Sequence, residues 1–170
     1  MTANVVEAQL GSNEPMIDDY LEVITLIERV HRHFLEVVKL ELDRLRVHDV
    51  NSVQALMLFN IGDAEMAVGE LTLRGCYQGA NVTYNLKKMV ESNYIMQERS
   101  TYDRRISHVR LTEKGRELRE RLQSMHERHV EMLTQSDITD EDLRAVTTML
   151  RQLEALWTGA GGIMPRSRVA

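Results

Sequence analysis

Arg99-Ser100-Thr101-Tyr102-Asp103-Arg104-Arg105-Ile106-Ser107 is the most informative stretch of this sequence for its fold. Within it, residues 100–107 separate two strand-like runs, residues 94–99 and 108–111, which predicts a β-hairpin with a charged loop. Adjacent charges on a hairpin loop are either a solvated surface ion pair or a contact for an anionic partner. The segment that precedes the hairpin distinguishes the two interpretations.

Two short helices precede the hairpin. The sequence predicts a helix at Val68–Arg74, a turn bounded by glycines at residues 75–79, and a second helix at about residues 80–92. Asn93 follows the second helix, where a residue in the left-handed conformation commonly ends a helix. Helix, turn, helix and charged hairpin together predict a winged helix-turn-helix.

The second of these helices has a polar face and an apolar face. The polar side chains are Asn81, Thr83, Tyr84, Asn85, Lys87 and Lys88. The apolar side chains, which should face the core, are Val82, Leu86 and Met89. This pattern is typical of a recognition helix, in which Asn81 and Tyr84 would reach base edges and Lys87 and Lys88 would meet phosphates. Thr83 suits either contact, and a merely solvated helix face is the alternative for each residue.

Long helices flank the predicted DNA-binding lobe. Apolar residues recur at helical spacing from residue 16 to about 47, Asn51 and Gln54 can cap the next helix, and Thr112 can begin a helix that runs to about residue 135. A last helix begins at Thr139, with Asp142 completing a capping box. We therefore expect a mostly α fold with the hairpin as its only prominent β element.

The last helix carries an apolar stripe at spacings of three and four residues. Its members are Leu143, Val146, Leu150, Leu153 and Trp157. The stripe is either a core seam within one chain or a dimerisation surface. We favour dimerisation, because the long helices lie at opposite ends of the chain and DNA-reading helix-turn-helix proteins usually dimerise.

These patterns predict five segments. Residues 1–15 and 158–170 are flexible tails, residues 16–47 and 112–157 supply the dimerisation helices, and residues 48–111 form the DNA-binding lobe. The single cysteine, Cys76, fits a reducing cytoplasm, and the absence of a signal-like start or a long apolar run predicts a cytoplasmic protein without membrane contact.

Charge is distributed unevenly along the chain. The whole chain carries a formal charge of −5, whereas residues 68–116 contain nine basic and five acidic residues. A protein that is acidic overall can still bind an anion through one basic segment. The acidic segments would then lie away from the bound anion.

The order of these features resembles the MarR family of transcription regulators. The resemblance covers about residues 16–157 and is carried by the helix pair, the Asp103-Arg104-Arg105 tip and the run Leu111-Thr112-Glu113-Lys114-Gly115. It implies a homodimer on a pseudo-palindromic operator, with recognition helices in successive major grooves and wings along the minor groove. It also implies an effector-responsive regulator, most often a repressor, in which Asp103 orients a wing arginine and Arg104 and Arg105 form the basic tip.

Physical chemistry supports the same roles at the tip. A guanidinium is planar and weakly hydrated, so it enters a narrow, electronegative minor groove at a lower desolvation cost than an ammonium. A neighbouring carboxylate such as Asp103 can hold it by a charge-assisted hydrogen bond. A winged helix that binds protein is the alternative, but it has no need of adjacent arginines behind an acidic residue.

The sequence also suggests two hypotheses about regulation. Residues 51–56 and 73–77 are similar to the LdtR branch of the family, and family members commonly bind a small, often aromatic, effector in a crevice that His31, Phe34 and Met57 could line. Cys76 could make the regulator redox-responsive, although a free cysteine is more often a small buried hydrophobe.

The sequence predicts neither an enzyme nor a cofactor. It contains no glycine-rich phosphate loop and no nucleophile with an evident base. His126 and His129, with His108 nearby in sequence, could contribute to a zinc site, but two histidines at this spacing are a weak signal and we expect no metal.

Overall fold

The computed structural model describes residues 14–75, 79–101, 103 and 105–159. In this part of the chain, six helices and three strands follow one another. They are α1 (Glu14–Arg44), α2 (Ser52–Ile61), β1 (Met66–Ala67), α3 (Val68–Arg74), α4 (Gly79–Glu91), β2 (Ile95–Arg99), β3 (Ser107–Leu111), α5 (Glu113–Thr134) and α6 (Asp140–Trp157). The predicted mostly α fold with a hairpin is confirmed, and most element ends lie within a few residues of the expected positions.

Side chains cap two of the helices as the sequence predicts. The Asn51 side chain accepts a hydrogen bond from the Gln54 backbone N–H at 2.9 Å, and Gln54 Oε1 accepts from the Asn51 N–H at 3.0 Å. At α6, Thr139 Oγ1 and the Asp142 carboxylate make the same reciprocal pair. Hydrogen bonds from Thr139 lower the pKa of Asp142. These capping boxes satisfy backbone donors that the first helical turn leaves without partners.

The three strands form an antiparallel sheet in the order β1-β3-β2. Strand β3 pairs with β2 through Ile95↔Leu111 and Arg99↔Ser107. Strand β1 was not predicted, because its two residues are too few to show the alternation that identifies a strand.

The chain divides into two compact units after Leu122, within α5. The first unit contains the helix-turn-helix and the sheet around one apolar core. Its most deeply buried large side chains are Val38, Met57, Leu58, Ile61, Leu71, Val82, Leu86, Met89, Tyr94, Ile95, Val109 and Leu122. The predicted core face of the second short helix is therefore confirmed.

The second unit begins at Gln123 and includes α6. No residue of α6 is buried within the single chain, and the side chains of Leu143, Val146 and Leu150 are about half exposed. The apolar stripe of α6 is therefore largely accessible in the single chain. Met132 of α5 is also exposed. Among the described residues, no helix is long and apolar enough to cross a membrane.

Candidate nucleic-acid interface

Helix α4 presents the polar face that the sequence predicts for a recognition helix. The anchoring side chains Val82, Leu86 and Met89 are 1–2% exposed. The outward set, all exposed, is Asn81, Thr83, Tyr84, Lys87 and Lys88. The burial of one face thus determines which side chains are available to a partner.

Asn85 does not belong to the exposed set, and its predicted exposure was wrong. Gln54 Nε2 donates a hydrogen bond to Asn85 Oδ1 at 3.1 Å, and Asn85 Nδ2 donates to the Asn81 carbonyl at 2.9 Å. Gln54 is 5% exposed and also completes the capping box with Asn51. The hydrogen bonds therefore join the start of α2 to the middle of α4 and restrict the rotation of α4 about its axis.

Two lysines of α4 share one acidic neighbour. Lys88 Nζ lies 2.9 Å from a Glu91 carboxylate oxygen, and Lys87 Nζ lies 4.0 Å from the other oxygen. The hydrogen bond and the charge of Glu91 raise the pKa of Lys88, and those of Lys88 lower the pKa of Glu91. Both predicted phosphate contacts are thus close to a carboxylate in the free protein.

The carboxylate at the wing tip shapes the backbone of the loop. Asp103 Oδ1 accepts a hydrogen bond from the backbone N–H of Arg105 at 2.9 Å, a local restraint that the sequence did not predict. The Ile106 N–H donates to the Asp103 carbonyl, and the Ser100 N–H donates to the Ile106 carbonyl, both at 2.9 Å. Arg105 is exposed. Arg104 lies outside the described residues.

The turn between α4 and β2 is held against the start of α5. Asn93 has φ +60°, the left-handed conformation expected for it. Lys114 Nζ donates to the Ser92 carbonyl at 2.8 Å, Thr112 Oγ1 donates to the Asn93 carbonyl at 2.7 Å, and the Thr112 N–H donates to the Tyr94 carbonyl at 3.1 Å. Three consecutive carbonyls of the turn therefore have partners at α5.

Glycine is required at the third position of the first turn of α5. A Cβ on Gly115 would lie 2.1 Å from the Tyr94 carbonyl oxygen, closer than real Cβ atoms approach. The Gly115 N–H also donates to Thr112 Oγ1 at 3.1 Å. The Leu-Thr-x-x-Gly run therefore has a structural origin: the threonine caps the helix, and the glycine permits close packing on the turn.

A polar cluster joins the loop after α1 to this turn. Asp49 accepts hydrogen bonds from the Tyr94 hydroxyl and from Lys114 Nζ, both at 2.8 Å, and Lys114 Nζ lies 4.0 Å from the Tyr94 ring centre. Burial acts to raise the pKa of Asp49, but the bonds from Lys114 and Tyr94 outweigh it and the pKa is lowered. The bond to Asp49 raises the pKa of Lys114. Burial raises the pKa of Tyr94.

An open cleft of about 390 Å³ lies between α4 and the wing strands. It is lined by Lys87, Val90, Glu91, Gln97, Arg99 and Ser107. Sequence reasoning missed Gln97 and Arg99, although strand alternation places both on the face that also carries Ile95. The cleft thus combines a predicted contact residue with cationic and polar groups of the wing.

The structure does not bring the expected effector residues to one accessible site. His31 is exposed and Phe34 is half-buried, whereas Met57 is fully buried in the core. Met57 is therefore inaccessible to a ligand in this conformation. Cys76 lies outside the described residues.

His126 and His129 pack with their ring centres 6.3 Å apart. Burial, and then the neighbouring His129, lower the pKa of His126. Within the described ranges, no group of three or more histidine, cysteine, aspartate or glutamate side chains is arranged to hold a metal ion.

Residues 50–115 match a family model described as a winged helix DNA-binding domain. The chain is also 36% identical over 141 residues to the exopolysaccharide II synthesis transcriptional activator ExpG of Rhizobium meliloti (strain 1021). That alignment spans 83% of this chain and 73% of the relative.

Solved structures share the fold at lower identity. FabT of Streptococcus pneumoniae, in complex with DNA, has a TM-score of 0.66 and 21% identity, covering 83% of this chain and 99% of FabT. MarR of Staphylococcus aureus, in complex with salicylate and kanamycin, also has a TM-score of 0.66, with 19% identity, covering 86% of this chain and 95% of that one. The chain belongs to the MarR family of winged helix-turn-helix, DNA-binding transcription regulators.

Proposed function

We propose that this regulator binds a pseudo-palindromic operator as a homodimer, with α4 in the major groove and the wing along the minor groove. The observation that carries the proposal is the polar face of α4, held outward by a buried apolar face, beside a wing that exposes Arg105. Asn81, Thr83 and Tyr84 supply groups suited to base edges. The guanidinium of Arg105 suits the negative potential of a narrow minor groove.

The dimer is proposed from the unburied apolar face of α6. A helix whose apolar stripe has no buried member within its own chain requires another surface to cover it. Leu143, Val146, Leu150, Leu153 and Trp157 recur at the spacing that packs helices at a shallow angle. We assign this face to a second copy of the chain, because a symmetric pair of recognition helices fits a pseudo-palindrome.

A DNA-binding titration tests the interface. Fluorescence anisotropy would compare the fragment upstream of the protein's own gene with a mixed-sequence duplex at several salt concentrations. We expect tighter binding to the upstream fragment and a steep loss of affinity with salt. Arg105→Ala should weaken binding, whereas Arg32→Ala, which removes the same charge from α1, should not. The absence of salt-sensitive DNA binding by the unaltered protein would overturn the proposal.

The dimer has a separate test. Leu150→Glu places a charge in the middle of the α6 stripe and should shift the protein from dimer to monomer in sedimentation experiments. Glu154→Gln, on the same helix but outside the stripe, should leave the dimer intact. A monomeric unaltered protein would refute the assignment of this face.

We propose that a small aromatic acid modulates DNA binding. The support is the S. aureus relative, which is described in complex with salicylate. Salicylate is therefore the first probe to add to the anisotropy titration. An unchanged affinity for DNA at a saturating salicylate concentration would exclude it as the effector.

The expected repressor role is also a proposal. ExpG is named as an activator, and the position of an operator relative to its promoter decides the direction of control.

A further inference from the structure

We propose that the cleft between α4 and the wing binds one backbone phosphate of DNA, held between Lys87 and Arg99, and that the phosphate displaces Glu91 from Lys87. This inference rests on the proposed function, because it assumes that α4 and the wing face the same duplex. It assigns roles to Arg99 and Glu91, which lie outside the predicted interface.

The helical wall of the cleft carries a cation beside an anion. Thr83, Lys87 and Glu91 recur every four residues and so share one side of α4. Lys87 is 75% exposed at its side chain, and its Nζ lies 4.0 Å from a Glu91 oxygen, a distance that gives only a weak contact in solvent. Glu91 makes its shorter contact, 2.9 Å, with Lys88. A phosphate entering the cleft would therefore compete for Lys87 with a carboxylate whose shorter contact is with Lys88.

The wing wall carries a guanidinium with preorganised polar neighbours. Arg99 pairs across the hairpin with Ser107, and Gln97 Nε2 donates a hydrogen bond to Ser107 Oγ at 3.0 Å. Within the described part of the chain, the Arg99 guanidinium has no ion pair. A guanidinium can donate two parallel hydrogen bonds to a phosphate, whereas Lys87 provides a compact charge from the opposite wall.

The two faces of the wing differ in how their cations are paired. On the opposite face, Arg110 lies 3.5 Å from Glu98, and His108 lies 3.6 Å from Glu65. On the cleft face, no carboxylate among the described residues of the hairpin pairs with Arg99. This difference favours the cleft face as the side that meets a polyanion, and it supplies a control cation of equal charge on the same hairpin.

The first test compares Arg99→Gln with Arg110→Gln on a mixed-sequence duplex across a salt series. Arg99→Gln should lower affinity about tenfold, the equivalent of one charge-assisted hydrogen bond. It should also reduce the slope of log affinity against log salt by about 0.9 for each phosphate that the variant no longer neutralises. Arg110→Gln should change affinity less and leave the slope unaltered. Equal slopes for the two variants would overturn the proposal.

The second test removes the competing carboxylate. Glu91→Gln should strengthen binding to the same duplex several-fold, whereas Glu98→Gln, an equal change of charge on the opposite wing face, should have a smaller effect. Weaker or unchanged binding by Glu91→Gln would contradict displacement of this carboxylate.

Inorganic phosphate distinguishes a DNA contact from a site for a small free anion. Saturable binding of inorganic phosphate that depends on Arg99, together with an unchanged salt slope for DNA in Arg99→Gln, would overturn the proposal. Failure of the proposed function has a different signature, because the unaltered protein would then not bind DNA at all.

Discussion

The base and the tip of the wing are built in opposite ways. The wing base, residues 92–94 and 112–115, places Tyr94 at 2% exposure and gives three consecutive carbonyls partners at the start of α5. The wing tip, residues 100–106, is held by hydrogen bonds within its own loop and is largely exposed where it is described. This hairpin therefore concentrates stability at one end and leaves the other available to a partner.

Disruption of the wing base by Gly115→Ala should have the largest effect. The added Cβ would overlap the Tyr94 carbonyl, a backbone atom that cannot rotate away, so we expect a loss of about 2–3 kcal/mol in unfolding free energy. Gly69→Ala is the matched control, because a Cβ there meets nothing within 4 Å and alanine favours a helix. Urea titration measures both variants, and equal stabilities would contradict close packing at the base.

Removal of the Lys114 ammonium should have an intermediate effect. Lys114→Met removes the ion pair with Asp49, the bond to the Ser92 carbonyl and the contact with the Tyr94 ring. Because Lys114 and Asp49 are both partly exposed, we expect a decrease of only about 1 kcal/mol in unfolding free energy. Lys39→Met, which breaks a surface contact on α1, should cost less in the same titration.

The Lys114 cluster should also contribute to the pH dependence of stability. The pKa of Asp49 is lowered on folding, so its contribution is present above the usual value of 3.8 and is lost as pH falls through the lower folded value. The pKa of Lys114 is raised, so its contribution is present below 10.5 and is lost as pH rises through the higher folded value. Lys114→Met should therefore differ least from the unaltered protein at the acid and alkaline extremes.

At the wing tip, Asp103→Ala should have the smallest effect on stability. It removes a hydrogen bond to the Arg105 N–H in an exposed loop, so we expect a change of about 0.5 kcal/mol or less. DNA affinity should nevertheless fall, because the loop that presents Arg105 would no longer have its local restraint. Asp137→Ala removes the same charge elsewhere and should not weaken binding. Stronger binding by Asp103→Ala would mean that net charge, rather than loop shape, governs this contact.

The features predicted well from sequence are local or periodic. The capping boxes at Asn51 and Thr139, the left-handed Asn93, and the buried face of α4 all follow from rules that act within a few residues. Such rules determine which face of an element is apolar. They do not determine what the polar face contacts.

The features that sequence reasoning missed depend on distant parts of the chain. In the helical pattern, Asn85 is one more polar residue of the exposed face until Gln54, 31 positions earlier, is placed beside it. Arg99 is recognised as a lining residue of the cleft only when the structure places α4 opposite it. One missed feature is local: the backbone N–H of Arg105, two residues ahead, donates to the Asp103 carboxylate, as in a common turn motif.

The hydrogen bond between Gln54 and Asn85 has a consequence for engineering. It holds α4 through a half-buried side chain that does not belong to the outward polar set. Under the proposed function, exchanging Asn81, Tyr84 and Lys88 together, with Gln54 and Asn85 retained, should retarget the regulator to a new operator on an unchanged scaffold. Libraries that also vary Asn85 would change the angle at which every other substituted side chain is presented.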